Sequence, residues 1–519
     1  MALKITYATM SADNEELNSA FDKAVIDVQS RLRQSHGAII NGEHRSEREM
    51  FEEVSPIDHD ILVGRYAQAT IADVDDAVSA AQAFAPEWDA FGWEARRDLM
   101  RNAADIMEEQ IFEISALMSY EIGKSRLESL GDVAETVEFF RYYANQITDH
   151  NGFVIELNTL SDNETNTSVL RPFGVWAVIS PFNFPMALAA GPSIGALLTG
   201  NTVIVKPSNT GALMALEFYR VMNEAGLPAG ALHILTGRGS LIGEHLTHHN
   251  DVDGITFTGS YPVGMHLLQT ASDHRPKPVS CEMGGKNPAI VTKSADLDIA
   301  TQGILRGAFG LSGQKCSATS RVYVEDAVHD ELLKKLVTAT RELKVGTPFD
   351  RDSFMGPLIE EAVVERFERA VEEVKSSGGK VLAGGNVLTD GDLSRGHFVE
   401  PTIVTAPLDS WIWSEELFMP LVAVTKISGL DEGLALSNDT EFGLTAGLFS
   451  NDDTEIEKWF SGIQAGVTYV NRAAGATTGA WPDIQSFGGW KGSGTSGAGG
   501  GGPWYLRQYL REQSRTLIR

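Results

Sequence analysis

Val175-Trp176-Ala177-Val178-Ile179 is a short apolar run that passes directly into Ser180-Pro181-Phe182-Asn183. Three more apolar runs follow at intervals of helical length: Thr202-Val203-Ile204-Val205, His233-Ile234-Leu235 and Ile255-Thr256-Phe257. Continuous apolar runs suit strands buried on both faces, and their alternation with helices is typical of a covered parallel sheet. We therefore predict an α/β lobe over this part of the chain.

A second alternation begins after Gly284-Gly285 and predicts a second α/β lobe. Its strands are expected at Ala289-Ile290-Val291 and Arg321-Val322-Tyr323-Val324, and its helices at 330–343 and 360–375.

Helical spacing dominates the chain before these strands. Apolar residues from Leu17 to Leu32 recur at helical intervals behind Asp13-x-x-Glu16, which predicts an opening amphipathic helix. Further helices are expected over 74–81 and from Glu94 to about Ile147.

Composition narrows the class of protein. The 519 residues carry a formal net charge of -28, which argues against nucleic acid or an anionic membrane as partner. The two cysteines, Cys281 and Cys316, make no disulfide framework and lack metal-ligand spacing, so we predict a reducing compartment and no metal site. The N-terminus lacks a long apolar segment, and no run approaches the ~20 residues that span a bilayer. A cytoplasmic protein is expected.

A thiol and a carboxylate stand among glycines at the edges of apolar segments. Cys316 lies in Gly313-Gln314-Lys315-Cys316-Ser317-Ala318, and Glu282 ends the strand-like 278–281 before Gly284-Gly285. A free thiol has a pKa near ~8.5, so covalent chemistry requires activation by its surroundings. An inert buried cysteine and a solvated carboxylate are the ordinary alternatives. Cys281 alternates to the opposite strand face and is predicted to be structural.

Other polar residues emerge at predicted strand ends, where α/β sheets usually bind ligands. The Asn183 amide could donate to an oxyanion, although a turn before proline is equally plausible. Lys206 could contact a ribose or phosphate, and Thr258-Gly259-Ser260 precedes a helix N-terminus that attracts phosphate. The tail contains Gly499-Gly500-Gly501-Gly502, whose composition favours a flexible linker over a site.

These motifs, taken together and in order, resemble the aldehyde dehydrogenase superfamily over essentially the whole chain. The motifs are Phe182-Asn183-Phe184-Pro185, Lys206-Pro207-Ser208, Phe257-Thr258-Gly259-Ser260, Glu282-Met283-Gly284-Gly285-Lys286, Gly313-Gln314-Lys315-Cys316, Glu415-Glu416-Leu417-Phe418 and Asn471-Arg472. The resemblance implies an α/β fold of two Rossmann-like lobes plus a small β oligomerisation element, and hence a homo-oligomer. It places a cofactor domain at 1–150 and 171–283, a catalytic domain at 284–480, and the oligomerisation element at 151–170 and 495–519.

The resemblance also implies roles for individual residues. Cys316 would attack an aldehyde, the Asn183 amide would hold the oxyanion, and Glu282 would activate the water that hydrolyses the thioester. NAD, with NADP possible, would be bound by Phe182, Lys206, Ser208, Asn209, Gly259, Ser260, Met283, Glu416 and Phe418. Asn209 stands where NAD-preferring members often carry glutamate, so strict NAD specificity is not implied. Met419 replaces a usual glycine.

Four segments resemble the glutamate-semialdehyde (1-pyrroline-5-carboxylate) dehydrogenase branch. They are Gly313-Gln314-Lys315-Cys316-Ser317-Ala318, Thr478-Gly479-Ala480, Phe487-Gly488-Gly489-Trp490-Lys491 and the glycine-rich stretch that ends in Gly502-Pro503-Trp504-Tyr505-Leu506. In that branch Ser317, Gly479 and Ala480 would bind the substrate α-carboxylate, and Phe184 and Phe487 would line the pocket. A longer 473–477 segment and Ser486 depart from the branch pattern, so an aromatic or aliphatic aldehyde is the alternative substrate. A thiol esterase or acyl transferase, and a binding protein that has lost the chemistry, are the alternative classes.

Overall fold

A computed structural model describes residues 14–473 and 481–519. The helices of this part of the chain are α1 Glu15–Asp27, α2 Ile71–Ala90, α3 Trp93–Glu109, α4 Ile111–Ile122, α5 Arg126–Asp149, α6 Ala187–Leu198, α7 Ala212–Glu224, α8 Glu244–His248, α9 Tyr261–Thr270, α10 Leu297–Phe309, α11 Asp326–Glu342, α12 Glu361–Ser376, α13 Leu430–Asn438 and α14 Asp453–Gly462. None of these helices has the length and apolarity that a bilayer crossing requires.

The strands, in chain order, are β1 Gln34–His36, β2 Ala38–Ile40, β3 Glu43–Arg45, β4 Met50–Val54, β5 Leu62–Ala67, β6 Val154–Leu157, β7 Glu164–Pro172, β8 Val175–Ile179, β9 Thr202–Lys206, β10 Leu232–Ile234, β11 Gly254–Thr258, β12 Val279–Glu282, β13 Asn287–Val291, β14 Thr319–Glu325, β15 Lys380–Ala383, β16 Thr402–Thr405, β17 Leu421–Ile427, β18 Phe442–Gly443, β19 Thr445–Phe449, β20 Val467–Val470, β21 Trp490–Lys491 and β22 Leu510–Ile518.

The first lobe is built on a seven-stranded sheet of order β12-β11-β8-β9-β10-β2-β3. Its first five strands run parallel, and β2 and β3 extend the far edge antiparallel. The apolar runs that predict strands at 175–179, 202–205 and 255–257 are β8, β9 and β11, which confirms those predictions. They are almost wholly buried because α2, α6 and α7 pack against the sheet.

The second lobe repeats this design with a sheet of order β15-β16-β17-β14-β13-β19-β20. Only its edge strand β15 runs antiparallel. The predicted strands at 289–291 and 321–324 are β13 and β14, and the predicted helices are α11 and α12. The predicted two-lobed α/β fold is therefore confirmed.

A small antiparallel sheet of order β22-β7-β6 joins two distant parts of the chain. All nine residues of β22 pair with β7, from Leu510↔Pro172 to Ile518↔Glu164. The strand β22 forms one edge of this sheet and is largely exposed.

The opening helix differs slightly from its prediction. Its N-cap is Asn14, whose side chain accepts a hydrogen bond from the Leu17 N–H, and Asp13 lies outside the described residues. The helix ends at Asp27, and a 3₁₀ turn continues to Arg31. Asparagine caps well because its short side chain reaches a backbone N–H that the helix leaves free.

The topology brings four motifs to one edge of the first sheet. Because β8, β9, β11 and β12 are parallel, their carboxyl ends lie side by side and lead into Phe182, Lys206, Gly259 and Glu282. The loop after α10 carries Cys316 towards this edge from the second lobe.

Candidate active site

The loop that carries Cys316 has an unusual backbone. Leu311 and Ser312 adopt φ values of 49° and 56°, in the left-handed region that side chains disfavour. Gly313 follows at φ 67°, and a Cβ there would lie 2.3 Å from the Met419 carbonyl oxygen. Such local strain persists only where the surroundings hold it, and it is common at functional sites.

Asn287 fixes the backbone on the other side of the thiol. Its Nδ2 donates to the carbonyl oxygens of Cys316 at 2.7 Å and Ala318 at 2.9 Å. Its Oδ1 accepts from the Thr445 N–H at 3.0 Å, which orients the amide. The first strand of the second lobe therefore holds the nucleophile loop in place.

Asn183 is buried and aimed at the same loop. Its side-chain Nδ2 donates to the backbone carbonyl of Gln314 at 3.0 Å. The backbone carbonyl of Asn183 accepts a hydrogen bond from Lys124 Nζ at 2.9 Å. A side-chain amide has two N–H donors, so one remains for a ligand beside Cys316. An oriented donor next to a thiol is what an oxyanion hole requires.

Glu282 ends β12 at the opposite side of the cavity. Its Oε2 accepts a hydrogen bond from the Gly489 N–H at 3.1 Å, and burial raises its pKa to about 8. Burial also raises the pKa of the Cys316 thiol to about 12, and the neighbouring Glu416 and Glu282 add to this shift. Backbone N–H groups of Ser317 and Cys316 face the sulfur and act in the opposite direction.

Cys281 is separated from this chemistry by its strand face. It lies fully buried among Phe257, Leu267 and Met283, and burial raises its pKa to about 12. The alternation of a β-strand turns Cys281 into the core and Glu282 towards the cavity.

A cavity of about 1130 Å³ joins the two lobes and is open to solvent. Nine of the residues that the sequence predicts for the site line it: Phe182, Asn183, Gly259, Ser260, Glu282, Met283, Cys316, Glu416 and Phe418. The other predicted residues within the described chain, which do not line the cavity, are Lys206, Ser208, Asn209, Phe184, Ser317 and Phe487.

Three of the residues predicted to bind the cofactor lie at the end of β9, outside the lining of the cavity. Lys206 is buried, and its Nζ donates to the carbonyl of its neighbour Pro207 at 2.9 Å. Burial alone lowers its pKa to about 8, with no carboxylate contributing. The Asn209 Oδ1 is buried without a hydrogen-bond partner, and Ser208 Oγ lies 3.2 Å from Thr210 Oγ1. A buried acceptor without a partner is able to accept a hydrogen bond from a ligand hydroxyl group.

Glu416 and Phe418 close the cavity from the second lobe. Glu416 Oε1 accepts from the Gly285 N–H at 3.0 Å, and a Cβ on Gly284 would lie 2.0 Å from its Oε2. Phe418 has a φ of 58° and packs edge-on against Phe182, with ring centroids 6.0 Å apart. Glu416 and Phe418 thus line the cavity between the two lobes, where the resemblance predicts that the cofactor binds.

Phe184 and Phe487, the two aromatic residues that the resemblance assigns to the substrate pocket, lie outside the lining of this cavity. Phe184 lies half-buried with Lys124 Nζ 3.5 Å from its ring centroid, and Ser317 is buried directly after the nucleophile. Phe487 pairs with Gly500 through two backbone hydrogen bonds of 2.9 and 2.7 Å. The predicted anchor residues Gly479 and Ala480 lie outside the described residues.

The glycine-rich tail is not a linker, contrary to the interpretation that its composition favours. Gly501 and Gly502 are buried, and the Gly501 N–H donates to the Tyr143 hydroxyl at 3.0 Å. A Cβ on Gly499 would lie 3.0 Å from three backbone atoms of Phe487. Glycine is used here because two backbones approach closely, which composition alone does not reveal.

Comparison with known proteins places this geometry in a family. The sequence profile described as "Aldehyde dehydrogenase family" matches residues 43–514. This chain belongs to the aldehyde dehydrogenase family. The resemblance seen in the motifs is thereby confirmed, as is the predicted class of enzyme, an NAD(P)-linked aldehyde oxidoreductase.

Individual relatives of this family member cover nearly the whole chain. A 1-pyrroline-5-carboxylate dehydrogenase of Anoxybacillus flavithermus is 38% identical over 511 residues, covering 97% of this chain and 96% of the relative. The structure of a 1-pyrroline-5-carboxylate dehydrogenase from Thermus with bound NAD superposes with a TM-score of 0.94 at 31% identity, covering 100% of both chains. A betaine aldehyde dehydrogenase from Staphylococcus aureus, in complex with NAD⁺, superposes with a TM-score of 0.89 at 27% identity, covering 96% and 97%.

Two ion pairs near this family member's nucleophile do not follow from its motifs. Lys124 and Asp132 form a fully buried pair at 2.9 Å, and Lys124 also holds the Asn183 carbonyl. Glu128 accepts from Lys315 Nζ at 2.6 Å and from the Leu311 N–H at 2.8 Å. In the sequence, the only indication of these ion pairs is that Glu128 and Asp132 are charged residues in α5, a helix that otherwise faces the core.

Proposed function

We propose that this chain oxidises L-glutamate 5-semialdehyde, the open form of 1-pyrroline-5-carboxylate, to glutamate with NAD as the acceptor. The observation that carries the chemistry is the convergence of Cys316, Asn183 and Glu282 on one cavity. A thiol, an amide donor and a separate carboxylate are the three groups that covalent aldehyde oxidation needs.

The first step is attack by Cys316. The Cys316 thiol loses its proton to solvent water, and the thiolate sulfur forms a bond to the aldehyde carbon while the carbonyl π electrons move to the oxygen, which becomes an oxyanion. The free N–H of the Asn183 amide and the Cys316 backbone N–H stabilise that charge. Because Gln314 and Lys124 hold Asn183 on both sides, the donor is oriented before the substrate arrives.

When bound, NAD accepts the hydride that leaves the thiohemiacetal carbon, so that a thioester remains on Cys316. Lys206 and Glu416 would hold the two riboses, and the N-terminus of α9 after Ser260 would face the pyrophosphate. Phe182, Gly259, Met283 and Phe418 would enclose the nicotinamide half, with Ser208 and Asn209 at the adenosine half. Asn209 carries no charge, so NADP is an additional acceptor in this proposal.

Glu282 completes the reaction as a general base. The ionised carboxylate removes a proton from water, which attacks the thioester carbon and releases the acid with the Cys316 thiolate. The Gly489 N–H holds the carboxyl at the cavity wall, so Glu282 reaches the thioester through water rather than as an ion pair with the thiol.

Substrate choice is supported by the relatives, whose names specify 1-pyrroline-5-carboxylate. Phe184 and Phe487 would pack against the short aliphatic chain. By the resemblance, the Ser317 hydroxyl and the backbone N–H groups of Gly479 and Ala480 would bind the α-carboxylate.

The domain division and assembly belong to the same proposal. The change of sheet between β12 and β13 supports a boundary at 283–284 between cofactor and catalytic domains. The antiparallel sheet formed from 151–170 and the tail would mediate a homo-oligomer through its exposed edge. Two unpaired cysteines agree with a cytoplasmic location.

Reduced-nicotinamide absorbance with an aldehyde panel tests the substrate. We expect glutamate semialdehyde to give the highest kcat/KM, above succinate semialdehyde and benzaldehyde, and Cys316→Ala to abolish turnover. If the amino-acid aldehyde ranks last, the carboxylate site is wrong while the dehydrogenase chemistry stands.

A thiol esterase is the alternative of another class. It would hydrolyse activated esters without nicotinamide and would not oxidise an aldehyde. Aldehyde oxidation that ceases when NAD is withheld contradicts the esterase alternative as the main activity.

A further inference from the structure

Two clusters of histidine and carboxylate side chains flank the short helix α8, away from the active-site cavity. The first, called here the α2–α8 cluster, consists of Asp75 on α2 with His245 and His249. Asp75 Oδ1 lies 2.6 Å from His245 Nε2 and 3.5 Å from His249 Nε2. The two imidazole rings meet edge to face with centroids 5.7 Å apart.

The second, the α8–α9 cluster, consists of Glu244 and His248 on α8 with His266 on α9. Glu244 Oε1 lies 3.0 Å from His248 Nε2 and 2.9 Å from His266 Nε2. Asp273, beyond α9, comes within 3.9 Å of His248 Nδ1. Both clusters thus place two imidazoles around one carboxylate oxygen.

The spacing along the chain explains why one helix serves two clusters. His245 and His249 are four residues apart, as are Glu244 and His248, so each pair shares a helix face. The two pairs are offset by one residue, which turns them to neighbouring faces. One face meets α2 and the other meets α9.

We propose that each cluster binds a divalent transition-metal ion of the zinc class. In each cluster one ligand atom from every residue lies within 4.8 Å of the others, a separation that small side-chain movements close around a common ion. Zinc binds imidazole nitrogen and carboxylate oxygen at about 2.0–2.2 Å and accepts water as its fourth ligand. Magnesium and calcium prefer all-oxygen sites, so they do not fit two imidazoles.

Binding at Nε2 has a defined proton balance. Each histidine Nε2 now faces a carboxylate oxygen, an arrangement in which the neutral ring carries its proton on Nε2. The metal takes the Nε2 lone pair, and the ring proton transfers through water to Nδ1. The carboxylate then exchanges its hydrogen bonds for a metal–oxygen bond.

The bound ions would link three helices that border the predicted cofactor groove. The Gly239–Gly243 turn leads directly into α8, and a Cβ on Gly239 would lie 3.7 Å from Lys206 Nζ. The helix α9 begins after Ser260. Metal binding would therefore stabilise the folded state and restrict movement of α8 against α2 and α9. The sequence-based prediction of no metal site rests on the two cysteines, whereas each cluster is completed by a residue from a separate helix, Asp75 on α2 or His266 on α9.

Zinc titration of the untagged full-length chain tests the proposal. The protein would carry Cys316→Ala, because an accessible thiol is itself a zinc ligand. Competition with a chromogenic chelator would measure affinity and stoichiometry, and thermal unfolding would give the midpoint with and without zinc. We expect two zinc ions per chain, with micromolar or tighter affinity, and a higher unfolding midpoint.

Variants assign the two ions. His245→Ala and His266→Ala should each remove one ion, and the double variant both, while His274→Ala, an exposed histidine outside the clusters, should change nothing. Zinc binding that neither variant reduces, or no binding at micromolar concentrations, would overturn the proposal. If only one of the two variants loses a zinc ion, the cluster that contains the substituted histidine is a metal site and the proposal for the other cluster is wrong.

Discussion

Glu282 is a carboxyl group whose pKa is raised by its surroundings. Burial raises its pKa to about 8, so near neutral pH it is largely protonated and cannot act as a base. The ionised fraction grows as pH rises towards and through about 8. Hydrolysis of the thioester should therefore speed up over this range.

Glu282→Gln should separate the two halves of the reaction. We expect the first turnover to release reduced nicotinamide as a burst, while the steady-state rate falls by about 10²–10⁴-fold and loses its rise around pH 8. Stopped-flow absorbance over pH 6–10 measures both phases. The wild-type burst serves as the control, since its pH dependence reports the Cys316 thiol rather than Glu282. A steady-state profile that keeps its shape in the variant contradicts the base assignment.

We expect Asn209 to influence whether the site accepts NAD or NADP. A carboxylate at this position would repel a 2′-phosphate and could accept a hydrogen bond from a 2′-hydroxyl. Asn209→Glu should therefore raise the ratio of kcat/KM for NAD over NADP by about tenfold or more, equivalent to about 1.4 kcal/mol. Kinetics with both cofactors measure this ratio.

Asn209→Gln is the matched control because it has the length of glutamate without the charge. We expect it to leave the NAD to NADP ratio close to that of the wild type. An equal change in both variants would show that side-chain size, rather than charge, acts at this position.

Among the helices, α5 contacts the loops that carry Cys316 and Asn183 through two carboxylates in its first turns. Glu128 joins Lys315 and the Leu311 N–H, while Asp132 joins Lys124 and the Ala187 N–H. Although burial alone would raise the pKa of Glu128, Lys315 together with Lys124 and Arg306 lowers it overall, which favours the ionised carboxylate. One helix thus positions both the nucleophile loop and the loop of Asn183.

Glu128→Gln should lower kcat by about 10–10²-fold, since small displacements of a nucleophile are costly. The KM for NAD should change little, because Glu128 lies outside the cofactor cavity. A double-mutant cycle with Lys315→Met, measured on kcat and on the unfolding midpoint, isolates the pair. Strictly additive effects on kcat would contradict a positioning role for the ion pair.

At the scale of the whole molecule, the small antiparallel sheet of order β22-β7-β6 has an exposed edge strand. The edge strand β22 is exposed along most of its length, and the sheet carries exposed Ile155, Leu157, Leu517 and Ile518. Unpaired edges and exposed apolar groups favour association between chains.

Leu517→Asp combined with Ile518→Asp should shift the protein to a smaller assembly, because two charges would be buried at the contact. Light scattering coupled to size exclusion measures the mass. Ile26→Asp is the control: Ile26 is 68% exposed, much like Ile518 at 66%, but it lies on α1. An unchanged mass in the double variant would place the assembly surface elsewhere.

Much of the fold follows from local pattern. The apolar runs 175–179 and 202–205 become adjacent buried strands, and the helices at 330–343 and 360–375 form within a few residues of their expected ends. Cys316 and Glu282 could be selected because they stand near glycines at the edges of apolar segments, and Asn183 because it follows the end of an apolar run; their roles came from the resemblance of the ordered motifs. These features depend on neighbours in the chain, so the sequence by itself determines them.

The tertiary structure alone decides which distant groups meet. Lys315 pairs with Glu128 from 187 positions away, and Lys124 reaches the Asn183 carbonyl from 59 positions away. The composition of the glycine tail resembles that of a linker. In the structure, Gly500 pairs with Phe487 through backbone hydrogen bonds, and Gly501 and Gly502 are buried. Burial also sets the pKa of Glu282, since desolvation depends on what the whole fold places around a carboxyl. Such contacts cannot be recognised from a local sequence pattern, because they form only when distant parts of the chain come together in the folded protein.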